Sequence, residues 1–360
     1  MLASFIAFIT SCLITVLVVR YKYKHESLTS DFDFDGPQKF HTVAVPRIGG
    51  LGVFVGVLVS ALVRLTQDFD SGLILVEVVF CGFTAYMVGT LEDLTKKVSP
   101  KVRIIGCFIS ALTAYLILGT QVKSIDILWI EPIFSIPIIV ALLSCFMIVG
   151  LTNAYNIIDG FNGLVCMVAI ITLSAIAYVA FRNNDSAIVF VVVALIGGIF
   201  GFFVWNYPRG LIFLGDGGAY FIGFSIGVIS ILLTVRNPNV SPWFAFLINI
   251  YPIFETLFSI WRKKFIKKMS PSMPDGVHLH MLIYGRIAKW VNPKSKNSYF
   301  SSNARTSPFL WFLSSLAVFP AVIFWNNTLL LQIAALVFCL SYIYIYRSIV
   351  KFKIQWLIKA

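Results

Sequence analysis

Long apolar runs separated by short polar segments make up most of the chain. A run of about 20 apolar residues is the helical length that crosses a hydrocarbon core about 30 Å thick. The predicted spans cover residues 2–19, 48–64, 73–91, 104–119, 133–151, 164–181, 186–205, 217–235, 243–261, 307–325 and 328–346. The pattern therefore predicts an all-α, polytopic membrane protein of about 11 transmembrane helices, with one integral-membrane domain over residues 1–360.

The composition supports this assignment. Of the 360 residues, 59% are hydrophobic and only 12% are charged, whereas a soluble domain carries about 25% charged residues. The six cysteines all fall inside apolar runs and show no CxxC spacing. Their placement suggests neither a disulfide framework nor a zinc site, and we interpret them as small hydrophobic residues.

Basic residues are distributed unevenly between alternate loops. One set of loops and the C-terminal tail carry 24 of the 28 lysines and arginines, and the opposite set carries Arg64, Lys123, Arg182 and Arg236. The positive-inside rule then places the N-terminus in the periplasm and the C-terminus in the cytoplasm. The net charge of +12 is accordingly interpreted as contact with an anionic lipid bilayer, and no nucleic-acid partner is expected.

The first two cytoplasmic loops combine cations with acids. The first supplies Lys39, His41 and Arg47 before the pair Gly49-Gly50, which suits a phosphorylated ligand or, equally, a membrane anchor with glycine packing. In the second loop, two adjacent acids are followed by a group of cations: Glu92, Asp93, Lys96, Lys97, Lys101 and Arg103. Two carboxylates there can hold a divalent metal or act as a base, and the alternative is a solvated turn with ordinary ion pairs.

The third loop contains four polar side chains at a spacing of three: Asn153, Asn156, Asp159 and Asn162. On a helix this spacing gives a slowly drifting polar face. Amide and carboxylate oxygens are hard ligands that suit Mg²⁺, and amides can also bind a nucleobase edge. A helix C-terminus with turn glycines is the alternative, and it explains Gly160 and Gly163 but not the four polar residues.

The fourth and fifth loops add an isolated acid and two histidines. Asp216 is enclosed by glycines in FLGDGGAY, where a metal and a diphosphate can approach it closely, unless it is simply an N-cap. The fifth loop begins at Arg262 and contains His278 and His280 after PD. These histidines can orient a diphosphate or a proton, whereas zinc is weakly supported because no thiol or HExxH motif accompanies them.

Together, the five motifs resemble those of the polyprenyl-phosphate N-acetylhexosamine-1-phosphate transferase superfamily, glycosyltransferase family 4. PRIGG resembles the family's PRxGG, and Glu92-Asp93 stands at its Asp-Asp pair. NAYNIIDGFNGL, FLGDGGAYFIGF and PDGVHLH resemble NxxNxxDGxDGL, FxGDxGSxxxG and the final histidine motif. Three residues depart from the family pattern: Glu92, Asn162 and Ala219, which replace two acids and a serine.

The resemblance implies a role for each motif. Asp216 and Asn156 would ligate Mg²⁺, with Mn²⁺ as an alternative. Asp93, assisted by Glu92, would act on the acceptor side, and Asp159 would complete the catalytic group. The remaining candidates would bind substrate: Lys39, His41, Arg47, Lys96, Arg103, Asn153, Asn162, Arg262, His278 and His280.

The expected activity is transfer of an N-acetylhexosamine 1-phosphate from a UDP-sugar to undecaprenyl phosphate at the bacterial inner membrane, which starts a lipid-linked glycan such as O-antigen. A UDP-MurNAc-pentapeptide donor is an alternative, and a homodimer is a possible assembly. Two rival hypotheses are a catalytically silent lipid-phosphate-binding relative and a transporter. A transporter is disfavoured because its ionisable groups would lie near the midplane, where only Glu77 looks deeply placed.

Overall fold

The computed structural model describes residues 2–31, 44–270, 275–290 and 298–358. The predicted all-α membrane fold is confirmed within these ranges. The helices are α1 Leu2–Arg20, α2 Lys22–Thr29, α3 Gly50–Gln67, α4 Phe69–Thr95, α5 Pro100–Leu118, α6 Pro137–Ile158, α7 Leu164–Arg182, α8 Ser186–Asn206, α9 Gly215–Arg236, α10 Pro242–Ile248, α11 Ile250–Trp261, α12 Leu279–Trp290, α13 Ser298–Ile323 and α14 Thr328–Ile358. A 3-10 turn covers Glu131–Ser135, and a π-helical turn, Arg262–Ile266, continues α11.

Helix α9 forms the centre of the bundle. Its span is 89% buried, compared with 22% for α1. Helix α9 can be surrounded by other helices because small residues follow one another at its start and recur along it, so that neighbouring backbones approach closely. A side chain at Gly223, for example, would lie 2.9 Å from the Cα of Thr152 on α6.

Glycine pairs bring α3 and α4 into backbone contact with the start of α9. A Cβ atom at Gly50 would lie 2.5 Å from the backbone nitrogen of Gly218, and one at Gly89 would lie 2.5 Å from that of Gly217. These positions have no room for a larger residue. The GG of the first loop and the GDGG of the fourth are therefore two sides of one helix junction.

A two-stranded sheet and the backbone that follows it also contact this junction. Strand β1 (Ser30–Asp31) pairs antiparallel with β2 (Val45–Pro46). Beyond β2 the backbone pairs with the segment before α9: Phe213 donates to Pro46, and Gly49 and Gly50 donate to Phe213 and Leu214. The first and fourth loops are thus held together by main-chain hydrogen bonds, which do not depend on side-chain identity.

The ninth predicted span, residues 243–261, is broken. Among the described residues, ten helices are long and apolar enough to cross a membrane, and a bent pair gives an eleventh. That pair, Pro242–Ile248 and Ile250–Ile266, bends by 71°. Pro252 cannot donate to the carbonyl of Ile248, and the hydroxyl of Thr172 donates to that carbonyl instead. Asn249 also pairs with Tyr155 at the break, so the freed backbone group is satisfied inside the bundle.

We predict that Gly89→Ala lowers the thermal stability of the detergent-solubilised protein, because the added methyl group meets the backbone of α9. Overpacking of this kind costs about 1–3 kcal/mol. The matched control is Gly150→Ala in α6, where a Cβ atom would meet nothing within 4 Å and the exchange favours a helix by about 0.5–1 kcal/mol. Equal melting temperatures for the two variants would contradict the packing described.

Candidate active site

The carboxylate of Asp216, at the start of α9, lies where three other elements converge. Its Oδ1 accepts a hydrogen bond from Asn156 Nδ2 at 3.0 Å, and its Oδ2 accepts one from Arg103 Nη1 at 2.9 Å. The guanidinium of Arg47 lies 3.8 Å from Oδ1. The side chain of Asp216 is 15% exposed, so this acid is accessible from the end of the bundle where α4 and α6 finish and α9 begins.

The neighbouring acid, Asp93, has a different environment. Its Oδ1 accepts the backbone N–H of Asp216 and its Oδ2 accepts that of Gly217, both at 3.0 Å. The residue is 5% exposed, and Arg47 lies 3.7 Å from Oδ1. A carboxylate at the N-terminus of a helix satisfies amides that have no partner within the helix and interacts favourably with the helix dipole. Asp93 therefore caps α9 and holds it against α4.

Gly215 makes this cap possible. Its φ angle is +79°, a conformation that glycine adopts at little cost. A Cβ atom there would lie 2.5 Å from Asp93 Oδ2. Glycine before Asp216 is thus required both by the backbone conformation and by the approach of the capping carboxylate.

Asp159, the C-cap of α6, is the third acid of the cluster. Burial, followed by the negative charge of Asp216, raises the pKa of Asp159 to about 7, and Arg47 opposes the shift. Asp159 directly follows the last residue of α6, about one turn after Asn156, whose backbone carbonyl accepts the Asp159 N–H. The third loop thus contributes an acid that changes charge near neutral pH.

A cavity of about 140 Å³ lies behind the cap, between α3, α4 and α9. Its lining is Ile48, Gly50, Leu51, Tyr86, Thr90, Asp93, Leu94, Leu214 and Gly218. A cavity of similar volume, about 150 Å³, holds benzene. A cavity of this size has room for a small apolar group and not for a ligand as large as a nucleotide.

The donor groups around Asp216 fit a magnesium ion that is held partly by substrate. Among the residues that the structure describes, no group of three or more His, Cys, Asp or Glu side chains could form a protein-only cage. Magnesium is commonly bound by one or two carboxylates together with phosphate oxygens and waters. Asp216 supplies a carboxylate, and the side-chain oxygen of Asn156 is left available because its nitrogen donates to Asp216.

A second polar cluster lies at the same end of the bundle. Arg262, which begins the π-helical turn, donates to both carboxylate oxygens of Asp275 at 3.0 and 3.1 Å. His278 Nδ1 lies 2.9 Å from Glu255 Oε1, and His278 Nε2 lies 3.7 Å from Asp275 Oδ1. All four side chains are more than nine-tenths buried, so the cluster is an internal network.

The two clusters meet at the third loop. A Cβ atom at Gly160 would lie 3.2 Å from His280 Nε2, and the ring of Phe161 packs edge-on against the His280 ring, with centroids 5.5 Å apart. Gly160 therefore contacts the His280 ring, which adjoins the second cluster, and directly follows Asp159 of the first cluster in sequence. The third loop forms the shared wall of the site.

Comparison with known proteins shows which family the chain belongs to. A family model described as glycosyl transferase family 4 matches residues 75–234. A probable undecaprenyl-phosphate N-acetylglucosaminyl 1-phosphate transferase of Bacillus subtilis is 30% identical over 282 residues, which is 76% of this chain and 75% of that protein. The chain belongs to glycosyl transferase family 4, the polyprenyl-phosphate hexosamine-1-phosphate transferases.

Other relatives in the same family act on a different sugar. A phospho-N-acetylmuramoyl-pentapeptide-transferase of Streptococcus sanguinis is 27% identical over 79% of this chain and 90% of its own length. A protein of that name from Streptococcus pneumoniae is 30% identical over 70% and 77%. The family assignment therefore establishes a membrane phosphosugar transferase, while both types of sugar remain represented among the relatives.

Asn162, which is predicted to bind substrate, makes several hydrogen bonds within the protein. It is 3% exposed, its side-chain amide donates to the Pro208 carbonyl, and its backbone N–H donates to Asn303. Its carbonyl accepts the Ser307 hydroxyl. The structure thus makes Asn162 a link between the third and fourth loops and α13. An amide can donate to a carbonyl where a carboxylate cannot, which gives this departure from the family motif a physical reason.

For several other predicted site residues, the hydrogen bonds and ion pairs described here involve groups other than Asp216. Glu92 accepts the Val98 N–H, Asn153 donates to the Val149 carbonyl, and Arg262 is 4% exposed and paired with Asp275. Lys96 caps α4 in a left-handed conformation, with its N–H donating to the Glu92 carbonyl. Lys39 and His41 lie outside the described residues.

Glu255 is the residue that sequence reasoning missed. Glu77 looked like the deeply placed acid, whereas Glu255 is 0% exposed and binds His278. The signal was present in PIFETLFSI, because an acid inside an apolar span marks a functional site by default. The expectation that Glu77 alone is deeply placed did not include Glu255, which lies within the predicted span 243–261.

We predict a pH-dependent stability difference between Asp159→Asn and the natural protein. The folded protein keeps the Asp159 proton up to about pH 7, whereas the unfolded chain releases it near pH 4. Asp159 therefore makes the folded state progressively less stable as pH rises from about 4 to 7. The melting temperature of Asp159→Asn should rise relative to that of the natural protein over this window and then level off.

The control for this measurement is Asp185→Asn. Despite its burial, hydrogen bonds from Arg236 and Asn237 hold the pKa of Asp185 below its usual range. Its stabilising contribution is fully present above about pH 4 and is lost only at lower pH. This variant should lose a constant amount of stability between pH 5 and 8, and a flat difference for Asp159→Asn as well would contradict the raised pKa.

Proposed function

We propose that this protein transfers an N-acetylhexosamine 1-phosphate from a UDP-sugar to undecaprenyl phosphate, with release of UMP. The reaction takes place at the cytoplasmic face of a bacterial inner membrane and begins a lipid-linked cell-surface glycan, of which O-antigen is one example. The observation that carries the proposal is the environment of Asp216, a partly exposed acid between Arg47, Arg103 and Asn156. The family membership and the named substrates of the relatives support it.

The chemistry needs charge neutralisation more than a base. An oxygen of the acceptor phosphate attacks the β-phosphorus of the donor, and the bond from that phosphorus to the bridging oxygen breaks, so that UMP leaves. A phosphate monoester has a second pKa of about 6 and is already ionised at neutral pH. Asp93 was expected to act on the acceptor, but both of its oxygens accept α9 amides, and we assign it to positioning Asp216.

Arg47 and Arg103 are the groups that meet the substrate charge. Each lies against Asp216 with its side chain about one-quarter exposed, so both can face an incoming diphosphate while remaining anchored. Guanidinium groups suit this role because they keep their charge and bind phosphate oxygens in pairs. A magnesium ion, or Mn²⁺ in its place, held by Asp216 and Asn156 would offset the developing charge on the diphosphate.

A second donor, UDP-MurNAc-pentapeptide, has support from the streptococcal relatives, one of which matches over 96% of its length at 25% identity. The two candidates share the acceptor and the reaction and differ only in the sugar. The donor test therefore separates them directly.

The test uses purified protein with Mg²⁺, undecaprenyl phosphate and a panel of UDP-sugars that includes UDP-MurNAc-pentapeptide. We expect UMP release with an N-acetylhexosamine donor. Release only with the pentapeptide donor would establish the second candidate. Donor binding without UMP release, beside an active relative, would make the protein a silent binder and would overturn the proposal.

Asp216→Asn should lower the rate of UMP release by a factor of at least about 100, since removal of one preorganised electrostatic group costs about this much. The matched control is Asp70→Asn, an exposed acid in the first turn of α4, which should keep full activity. Both variants should elute from size-exclusion chromatography like the natural protein. Unchanged turnover in Asp216→Asn would remove this residue from the site.

A further inference from the structure

Glu255 accepts three hydrogen bonds from two other parts of the chain. Its Oε1 accepts from His278 Nδ1 at 2.9 Å and from the Leu279 N–H at 3.2 Å, and its Oε2 accepts from the Tyr342 hydroxyl at 2.5 Å. The residue is 0% exposed. Burying a carboxylate costs free energy unless its oxygens accept hydrogen bonds. The arrangement therefore fixes His278, Leu279 and Tyr342 relative to Glu255.

The contact with Leu279 has a direct geometric effect. Leu279 is the first residue of α12, and His280 is the second. A carboxylate that accepts a first-turn amide fixes the start of a helix and is favoured by its dipole. By holding His278 and Leu279 together, Glu255 sets the position from which the His280 side chain leaves the backbone.

His280 has the properties of a group whose partner arrives with substrate. It is 1% exposed, and its Nδ1 has no hydrogen-bond partner among the described residues. Burial lowers its pKa to about 3, so the imidazole is neutral at physiological pH. Its ring stacks parallel to that of His278, at 5.3 Å between centroids, and its other edge faces Gly160, beside Asp159.

The last helix completes this support. Tyr342 on α14 donates to Glu255, and Tyr346, one turn later, donates to the Val277 carbonyl and accepts from Arg262. Both α14 and Glu255 lie beyond residues 75–234, the part of the chain that the family model matches. The segment from Val277 to Leu279 is thus held by the Glu255 carboxylate on α11 and by two tyrosine hydroxyl groups on α14, one of them acting through Glu255.

We propose that Glu255 and Tyr342 are positioning residues that hold the start of α12, so that His280 is placed against the third loop for the transfer reaction. The effect on turnover rests on the proposed function, whereas the structural effect does not. Glu255 and Tyr342 act through His280 and do not touch the substrate. Their loss should therefore change the rate only while the His280 imidazole is present.

The first measurement is hydrogen–deuterium exchange of the substrate-free protein, followed in peptides that cover residues 275–286. Glu255→Gln keeps the side-chain shape but replaces one accepting oxygen with a donor, and Tyr342→Phe removes only a hydroxyl. Both should raise exchange at the start of α12. Tyr344→Phe is the matched control, because Tyr344 lies on the same helix and is 74% exposed, and it should leave exchange unchanged.

The second measurement is a double-mutant cycle on UMP release, with kcat and the donor KM determined separately. Glu255→Gln and Tyr342→Phe should each lower kcat by about tenfold or more in the natural background and by less than about threefold in a His280→Ala background, because coupled residues are not additive. Tyr344→Phe should leave kcat unchanged relative to each background. A loss of equal size in the two backgrounds would show a general structural effect and would overturn the proposal.

The two measurements separate the possible failures. Unchanged exchange in both Glu255→Gln and Tyr342→Phe overturns the proposal whatever the activity. If the natural protein releases no UMP from any donor, the proposed function fails, and the exchange measurement still decides whether Glu255 and Tyr342 hold α12. Tyr342→Phe provides the result if Glu255→Gln does not fold.

Discussion

The buried N-terminus of α9 is the constraint on which the rest of the site depends. The first amides of a helix have no partner within it, and where the start of a helix is buried these amides need acceptors from the protein. Asp93 supplies the acceptors for two of these amides, those of Asp216 and Gly217. Because Asp93 lies on α4, the same two hydrogen bonds that satisfy α9 also fix the relative position of two helices and place Asp216 at their junction.

Asp93 and Asp216 are 123 residues apart in sequence but adjacent in space, and they have separate roles. Asp93 is enclosed and bonded to amides, whereas Asp216 is partly exposed and bonded to side chains that can also meet a ligand. Arg47 lies within 4 Å of both carboxylates, and its charge offsets the repulsion between them. The site therefore holds two carboxyl groups around one arginine before any substrate or cation binds.

Much of this arrangement could be predicted from the sequence, because the relevant forces are local or periodic. The length of the apolar runs predicts the spans, and the five loops that carry polar motifs lie on one predicted face, so the meeting of Arg47, Asp93, Arg103, Asn156 and Asp216 follows. Pairing across the bundle could not be predicted. Neither the link from Asn162 to Pro208 and Asn303 nor that from Glu255 to His278 and Tyr342 leaves a spacing pattern, since the partners are distant in sequence.

The backbone contacts among α3, α4 and α9 have a consequence for how such an enzyme can diversify. Where glycine packs against glycine, as at Gly50 and Gly218, any larger residue would clash with the backbone. This part of the site therefore cannot change by small substitutions. The surrounding walls are built from side-chain hydrogen bonds in the third and fifth loops, and these can be exchanged one at a time. The backbone junction is therefore the part of the site that tolerates least change in sequence, whereas side-chain contacts in these two loops can change while the helices keep their positions.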